Sequence, residues 1–218
     1  MSLEQELADQ NASFEASAPP GAAAFLNAKI EELTATFPFD SVLKSGDLVP
    51  EFSLPGVRGE AISLLETLAG GPVVLSFYSG TWCPYCNIQL AAYERALPAI
   101  ADAGGCLIAI SPQKPDGSLW MIEKNNLTFD VLSDAGNAVA RQFGLVYKLP
   151  DDLKAAYSSS FGVDLPAVNG DDSGELPIPA TFVIGNNGRA RLAHAEIDYR
   201  RRLPPEAIIE ALRSSWAA

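Results

Sequence analysis

The sequence predicts an α/β fold in which a central mixed sheet is flanked by helices. Three observations carry that expectation. The run Pro72-Val73-Val74-Leu75-Ser76-Phe77-Tyr78 is apolar enough for a strand buried on both faces. A helical pattern follows from Pro84 to about Ile100, with Leu90, Tyr93 and Leu97 on one face, and then a second buried strand, Cys106-Leu107-Ile108-Ala109-Ile110. Strand, helix and strand at this spacing describe a right-handed parallel crossover.

The remaining elements follow in order. Up to about Ser45 the chain reads as helical, with Leu26, Ile30, Leu33 and Phe37 at helical spacing and Pro19-Pro20 as a start signal. This segment, 1–45, is read as a helical extension that packs on a domain spanning 46–218 or serves as a homodimer arm, because an apolar stripe must be covered. Phe52-Ser53-Leu54 and Ala61 to Leu64, around Pro55-Gly56-Val57-Arg58-Gly59, suggest a short hairpin. Helices are expected at Ser118 to Asn125 and Gly136 to Phe143, with a strand at Phe129 to Leu132 between them. Gly144 to Pro177 is a loop-rich acidic insertion, with a helix near Asp151 to Ser160. Ala180 to Ile184, the turn Gly185-Asn186-Asn187-Gly188 and Arg189 to Ile197 make a hairpin with Asn-Gly at its turn. A helix from Pro205 to Trp216 closes the chain. This is the element order of the thioredoxin fold.

Length and charge narrow the function. With 218 residues the chain suits one domain and is short for two. Fifteen Lys+Arg against 27 Asp+Glu give a net charge of -12, which repels nucleic acid and anionic membrane surfaces. The basic run Arg200-Arg201-Arg202 is read as capping a helix approach or pairing with nearby acids. No apolar stretch reaches the roughly 20 residues of a membrane span, and the acidic N-terminus lacks a signal-peptide layout, so the cytoplasm is the expected location. Three cysteines and one histidine, His194, are too few for a zinc site, and no metal or other cofactor is implied.

The chemistry is expected at Cys83-Pro84-Tyr85-Cys86, where a parallel strand ends and a helix begins. Unpaired N–H groups and the partial positive charge of a helix start favour a thiolate. Pro84 suits the first helical position because it has no N–H to leave unpaired. Two sulfurs one turn apart can close a disulfide with little backbone movement. Cys106, inside an apolar strand, is expected to be a buried bystander. The thioredoxin fold has a cis-proline facing the cysteines at this place, and the likeness implies the same for Pro179, just before the closing hairpin. His194 is read as a surface or packed histidine rather than a base.

These residues resemble the alkyl hydroperoxide reductase and thiol-specific antioxidant family, the peroxiredoxins, in a bacterial peroxiredoxin-like branch. The likeness runs from about Gly46 onward. It rests on Gly46-Asp47-x-x-Pro50-x-Phe52-x-Leu54, on Phe77-Tyr78-Ser79-Gly80-Thr81-Trp82-Cys83-Pro84-Tyr85-Cys86, and on Pro179-Ala180-Thr181-Phe182-Val183-Ile184. Ile110-Ser111-Pro112 and Leu132-Ser133-Asp134 add to it. Aligned without a gap, Cys86 falls on the family's peroxidatic position, Cys83 on its threonine and Ser79 on its proline. Pro179 stands where many members place an arginine, and what replaces that arginine is left open.

The resemblance implies a thiol-dependent peroxidase for hydrogen peroxide or organic hydroperoxides. Cys86 would attack peroxide, Cys83 would resolve the sulfenic acid as a disulfide, and a thioredoxin-like reductant would recycle the pair. Thr81, Trp82, Pro84, Tyr85 and Pro179 would face substrate or partner. Two alternatives stand beside it: a thiol-disulfide oxidoreductase with Cys83 as nucleophile, and a non-enzymatic redox sensor.

Overall fold

A computed structural model describes residues 1–214 and, within them, the side chains of all but Trp120 and Met121. Two helices open the chain, α1 (Leu3–Ser17) and α2 (Ala22–Thr36), with Pro19 and Pro20 between them. Ser2 caps α1 by accepting a hydrogen bond from the Gln5 N–H. A short hairpin of β1 (Ser53–Pro55) and β2 (Ala61–Ser63) leads into α3 (Leu64–Gly70), a helix the sequence reading did not separate from the hairpin. Its start is nonetheless encoded: Ser63 accepts from the Glu66 N–H, and Glu66 lies in the first turn.

The central elements are β3 (Val73–Phe77), α4 (Pro84–Asp102), β4 (Cys106–Ser111), α5 (Pro115–Asn125) and β5 (Asp130–Ser133). A short helix, α6 (Ala138–Gln142), follows β5. The expected insertion carries more structure than its composition suggested. It contains β6 (Val146–Lys148), α7 (Asp151–Phe161), α8 (Leu165–Asn169) and β7 (Glu175–Pro177), with β6 and β7 paired antiparallel. The chain closes with β8 (Ala180–Ile184), β9 (Ala190–Ala195) and α9 (Pro205–Arg213). Trp216, placed in the last helix by its sequence pattern, lies outside the described residues.

The five-stranded sheet runs in the order β5-β4-β3-β8-β9. The β3–β4 and β4–β5 pairs are parallel, whereas β8 is antiparallel to both β3 and β9. Every residue of β3 is buried, because it is the middle strand of a sheet covered on both faces. The two-residue strand period sorts its side chains. Val73, Leu75 and Phe77 join one apolar layer with Phe143 and Phe182, and Val74 joins the other with Leu90, Tyr93 and Ile208. Burial of such side chains supplies the main stabilising term of the fold.

The N-terminal helices are docked rather than free. Leu3 and Leu7 of α1 are buried against α4, and Arg95 pairs with Glu6. Lys29 of α2 pairs with Asp152 of α7 at 2.6 Å. None of the side chains of α2 is fully buried, because the face it turns inward overlies a cleft.

Two expectations are corrected. Cys106 is exposed, because it is the first residue of β4, directly after the Gly104-Gly105 turn, and not within the buried part of that strand. All described peptide bonds are trans, including that before Pro179. The preceding residues already run extended: Pro177 pairs with Val146, and the Ile178 N–H donates to the Leu145 carbonyl.

Among the described residues no helix is long and apolar enough to cross a membrane, and no three His, Cys, Asp or Glu residues are grouped to hold a metal.

Candidate active site

Cys83 caps α4 and Pro84 opens it, at the carboxyl end of β3. The strand-to-helix step therefore puts Cys86 in the first helical turn, one turn along from Cys83. Both thiols are free and buried. Cys86 is 0% exposed and Cys83 6%, a difference with a consequence: Cys83 lines a cleft of about 740 Å³, whereas Cys86 lies behind it.

The preceding loop is held by amides. The Thr81 N–H donates to Gln113 Oε1 at 2.7 Å, and Gln113 Nε2 donates back to Thr81 Oγ1 at 3.0 Å. Asn87 Nδ2 donates to the carbonyls of Thr81 and Cys83 at 2.7 and 2.8 Å. Trp82 packs edge-on against Tyr157 of α7 with ring centres 5.1 Å apart, and Tyr85 packs against Tyr199 at 5.3 Å. Pro84, which is exposed, and Pro179, which is buried, both line the cleft together with Cys83. Phe14 of α1, Leu26 and Ile30 of α2 and Phe161 of α7 complete its apolar walls.

The group that sequence reasoning missed is Arg202. Arg200 behaves as expected and pairs with Asp198 at 2.8 Å. Arg202 instead turns inward, and its Nη2 lies 3.6 Å from the Cys86 sulfur. Nε donates to the Tyr199 carbonyl at 2.8 Å and Nη1 to Gln89 Oε1 at 2.6 Å. One signal for this was present: Gln89 is a polar residue on the otherwise apolar face of α4 that carries Cys86, Leu90 and Tyr93. A buried amide on that face asks for a polar partner.

The electrostatics separate the two sulfurs. Burial opposes ionisation of Cys86, but it is outweighed by the hydrogen bond from the Cys83 thiol, the charge of Arg202 and the Ser79 N–H, so the thiol is held down at about 5. Cys83 moves the other way: its hydrogen bond to Cys86 and then its own burial keep it protonated. Loss of a proton is thus favoured at Cys86 and opposed at Cys83. Burial also raises the phenols of Tyr147, Tyr157 and Tyr199, which stay neutral around the pair. His194 is half-buried, and burial lowers its affinity for a proton. Its Nε2 has no hydrogen-bond partner among the described residues.

A strand-to-helix dithiol on a five-stranded mixed sheet with this order defines a thiol protein of the thioredoxin fold. Comparison with known proteins extends that. Residues 45–193 match the model of the AhpC/TSA family, and the chain belongs to that family. It is similar to peroxiredoxin Bcp of Escherichia coli K12, with 35% identity over 103 residues, 47% of this chain and 65% of the relative. It is also similar to the chloroplastic peroxiredoxin Q of Gentiana triflora, with 29% identity over 168 residues, 77% of this chain and 64% of that one. The matched part thus spans just under two thirds of either relative. Among solved structures, the peroxidoxin BcpB of Mycobacterium tuberculosis shares the fold with a TM-score of 0.62 and 23% identity, covering 78% of this chain and 97% of that one.

Proposed function

We propose that the chain is a thiol-dependent peroxidase in which Cys86 attacks peroxide and Cys83 resolves the product. The observation that carries this reading is the Cys86 sulfur beside the buried guanidinium of Arg202, at 3.6 Å. A thiolate is the nucleophile in this chemistry, and Arg202 holds Cys86 as one. Arg202 thereby supplies, from the segment before α9, the positive charge that many family members carry at the position of Pro179.

In the first step the Cys86 thiolate attacks the terminal oxygen of a hydroperoxide. The O–O bond breaks, Cys86 becomes a sulfenic acid, and an alcohol or water leaves with a proton from solvent. The Cys83 thiol then attacks the sulfenic sulfur, releasing water and forming the Cys83–Cys86 disulfide. A dithiol reductant of the thioredoxin type attacks the sulfur of Cys83, which faces the cleft, and Cys86 leaves. A low-pKa thiol is the better leaving group. Such recycling fits the cytoplasm, where reductants keep thiols reduced. Trp82, Pro84, Tyr85 and Pro179 shape the approach to Cys83, while Thr81 is tied to Gln113 and is not part of the cleft lining.

One observation favours a second reading, thiol-disulfide exchange with protein substrates: Cys83, not Cys86, opens on the cleft. The test is peroxide-dependent NADPH oxidation by the purified protein with thioredoxin and thioredoxin reductase. Turnover that disappears in Cys86→Ser supports the peroxidase. An inert protein that instead reduces or oxidises a model disulfide substrate through Cys83 overturns it.

A further inference from the structure

Arg202 is a buried cation of an unusual kind. Two of its nitrogens face neutral acceptors, the Gln89 amide and the Tyr199 carbonyl, and the third faces sulfur. Among the described residues no carboxylate forms an ion pair with it. The ionisable groups that act on it most are Cys86, Cys83 and Tyr93 of α4, and its charge is felt in turn by His194 of β9. The anion that balances Arg202 is therefore the Cys86 thiolate.

Gln89 fixes this geometry. Its Nε2 donates to the Tyr93 hydroxyl at 2.9 Å and reaches Thr181 Oγ1 at 3.4 Å, which leaves Oε1 aimed at Arg202. The Tyr93 hydroxyl donates to the Leu203 carbonyl at 2.9 Å, so α4 grips both the guanidinium and the main chain beside it. A glutamate at position 89 would fill the same space and pair with the arginine. The glutamine leaves that charge to be met by sulfur.

Oxidation removes the balancing charge. In the disulfide both sulfurs are neutral, and Arg202 is left buried among dipoles, an unfavourable state for a cation. Reduction restores the anion: a dithiol donor gives two electrons and two protons, the S–S bond breaks, one proton stays on Cys83, and the other is released while Cys86 remains a thiolate. We propose that Arg202, positioned by Gln89, sets the redox poise of the cysteine pair by stabilising its reduced form, so that the Cys83–Cys86 disulfide is an oxidising one and readily reduced. The inference rests on Cys83 and Cys86 being a redox pair, but not on peroxide being the oxidant.

The test is the equilibrium of the pair with mixtures of reduced and oxidised glutathione, followed by mass, in the wild type and in Gln89→Glu. The glutamate supplies Arg202 with a permanent counter-charge. The expected result is a shift toward the disulfide of about tenfold, equivalent to a potential about 30 mV more negative. The thiolate absorbance of Cys86 should then titrate at higher pH. Arg202→Met, a second variant with no buried charge to balance, should shift the equilibrium in the same direction, and Arg202→Lys should stay near the wild type. Equal equilibrium constants in the wild type and in a folded Gln89→Glu or Arg202→Met overturn the inference, as does failure of the pair to form a disulfide at any ratio. Since no peroxide is present, a protein that fails the peroxidase assay but shows the shift loses only the peroxidase reading.

Discussion

The guanidinium of Arg202 meets the sulfur of Cys86 at 3.6 Å, with both side chains buried. The reaction with peroxide should follow the thiolate of Cys86. Its single-turnover rate is expected to be constant from neutral pH down to about 6 and to halve at about pH 5. Arg202→Met should slow that step about a hundredfold, the usual order for removing one electrostatic partner, and move the inflection upward. Stopped-flow mixing with peroxide across pH checks both.

Because Cys86 is held below its ordinary value of 9.0, near 5, its ionisation stabilises the reduced fold. That contribution is complete above about pH 9 and is lost as pH falls toward 5. The disulfide form has no such group. Denaturant midpoints of the reduced protein should therefore rise from pH 5 toward 8 relative to those of the oxidised protein, and parallel curves would contradict the assignment.

Single-cysteine variants separate the roles of the two sulfurs. Cys83→Ser should react once with peroxide and accumulate a sulfenic acid at Cys86, without turnover with thioredoxin. Cys86→Ser should lose the peroxide step, since the sulfur that Arg202 contacts is the one removed. Sulfenic-acid labelling followed by peptide mapping reads the outcome. Rapid labelling at Cys83 with none at Cys86 would reverse the assignment.

Cys106 is exposed at the start of its strand, though burial of part of its surroundings and then the charge of Asp130 push its thiol up. It should alkylate in the native protein before either buried cysteine, but slowly at neutral pH. Cys106→Ser should alter stability by no more than about 0.5 kcal/mol, as at other surface positions, and should leave turnover intact.

Leu7 anchors α1 on α4 and is 7% exposed. Leu7→Ala should cost about 2 kcal/mol, measured by urea unfolding. If the helix loosens locally, amide exchange across 3–17 should accelerate ahead of that in β3.

The sheet was legible because β3, β4 and β8 are short apolar runs set between turn signals, and the α4 stripe follows the helical period. The Cys83-to-Cys86 step was legible for the same local reason. Arg202 was not, since nothing within a few residues distinguishes it from Arg200 and Arg201. It is drawn inward by an amide and a sulfur on a helix 113 and 116 residues away in sequence. Cys106 and Pro179 were misjudged by small margins of register and backbone state. The first sits one residue outside the buried stretch, and the second enters its strand from a chain already extended. The strands β6 and β7 escaped notice because each is three residues long and they pair across an acidic, loop-rich segment.

The stretch that matches the family, 45–193, contains both sulfurs but neither Arg202 nor the helices roofing the cleft. Reactivity and inheritance are thus divided along the chain. A chimera that transplanted only the shared stretch into a relative would carry over both sulfurs and leave the guanidinium beside Cys86 behind. Substitutions in the segment just before the last helix would then change the charge beside Cys86 without touching the Cys-Pro-Tyr-Cys turn.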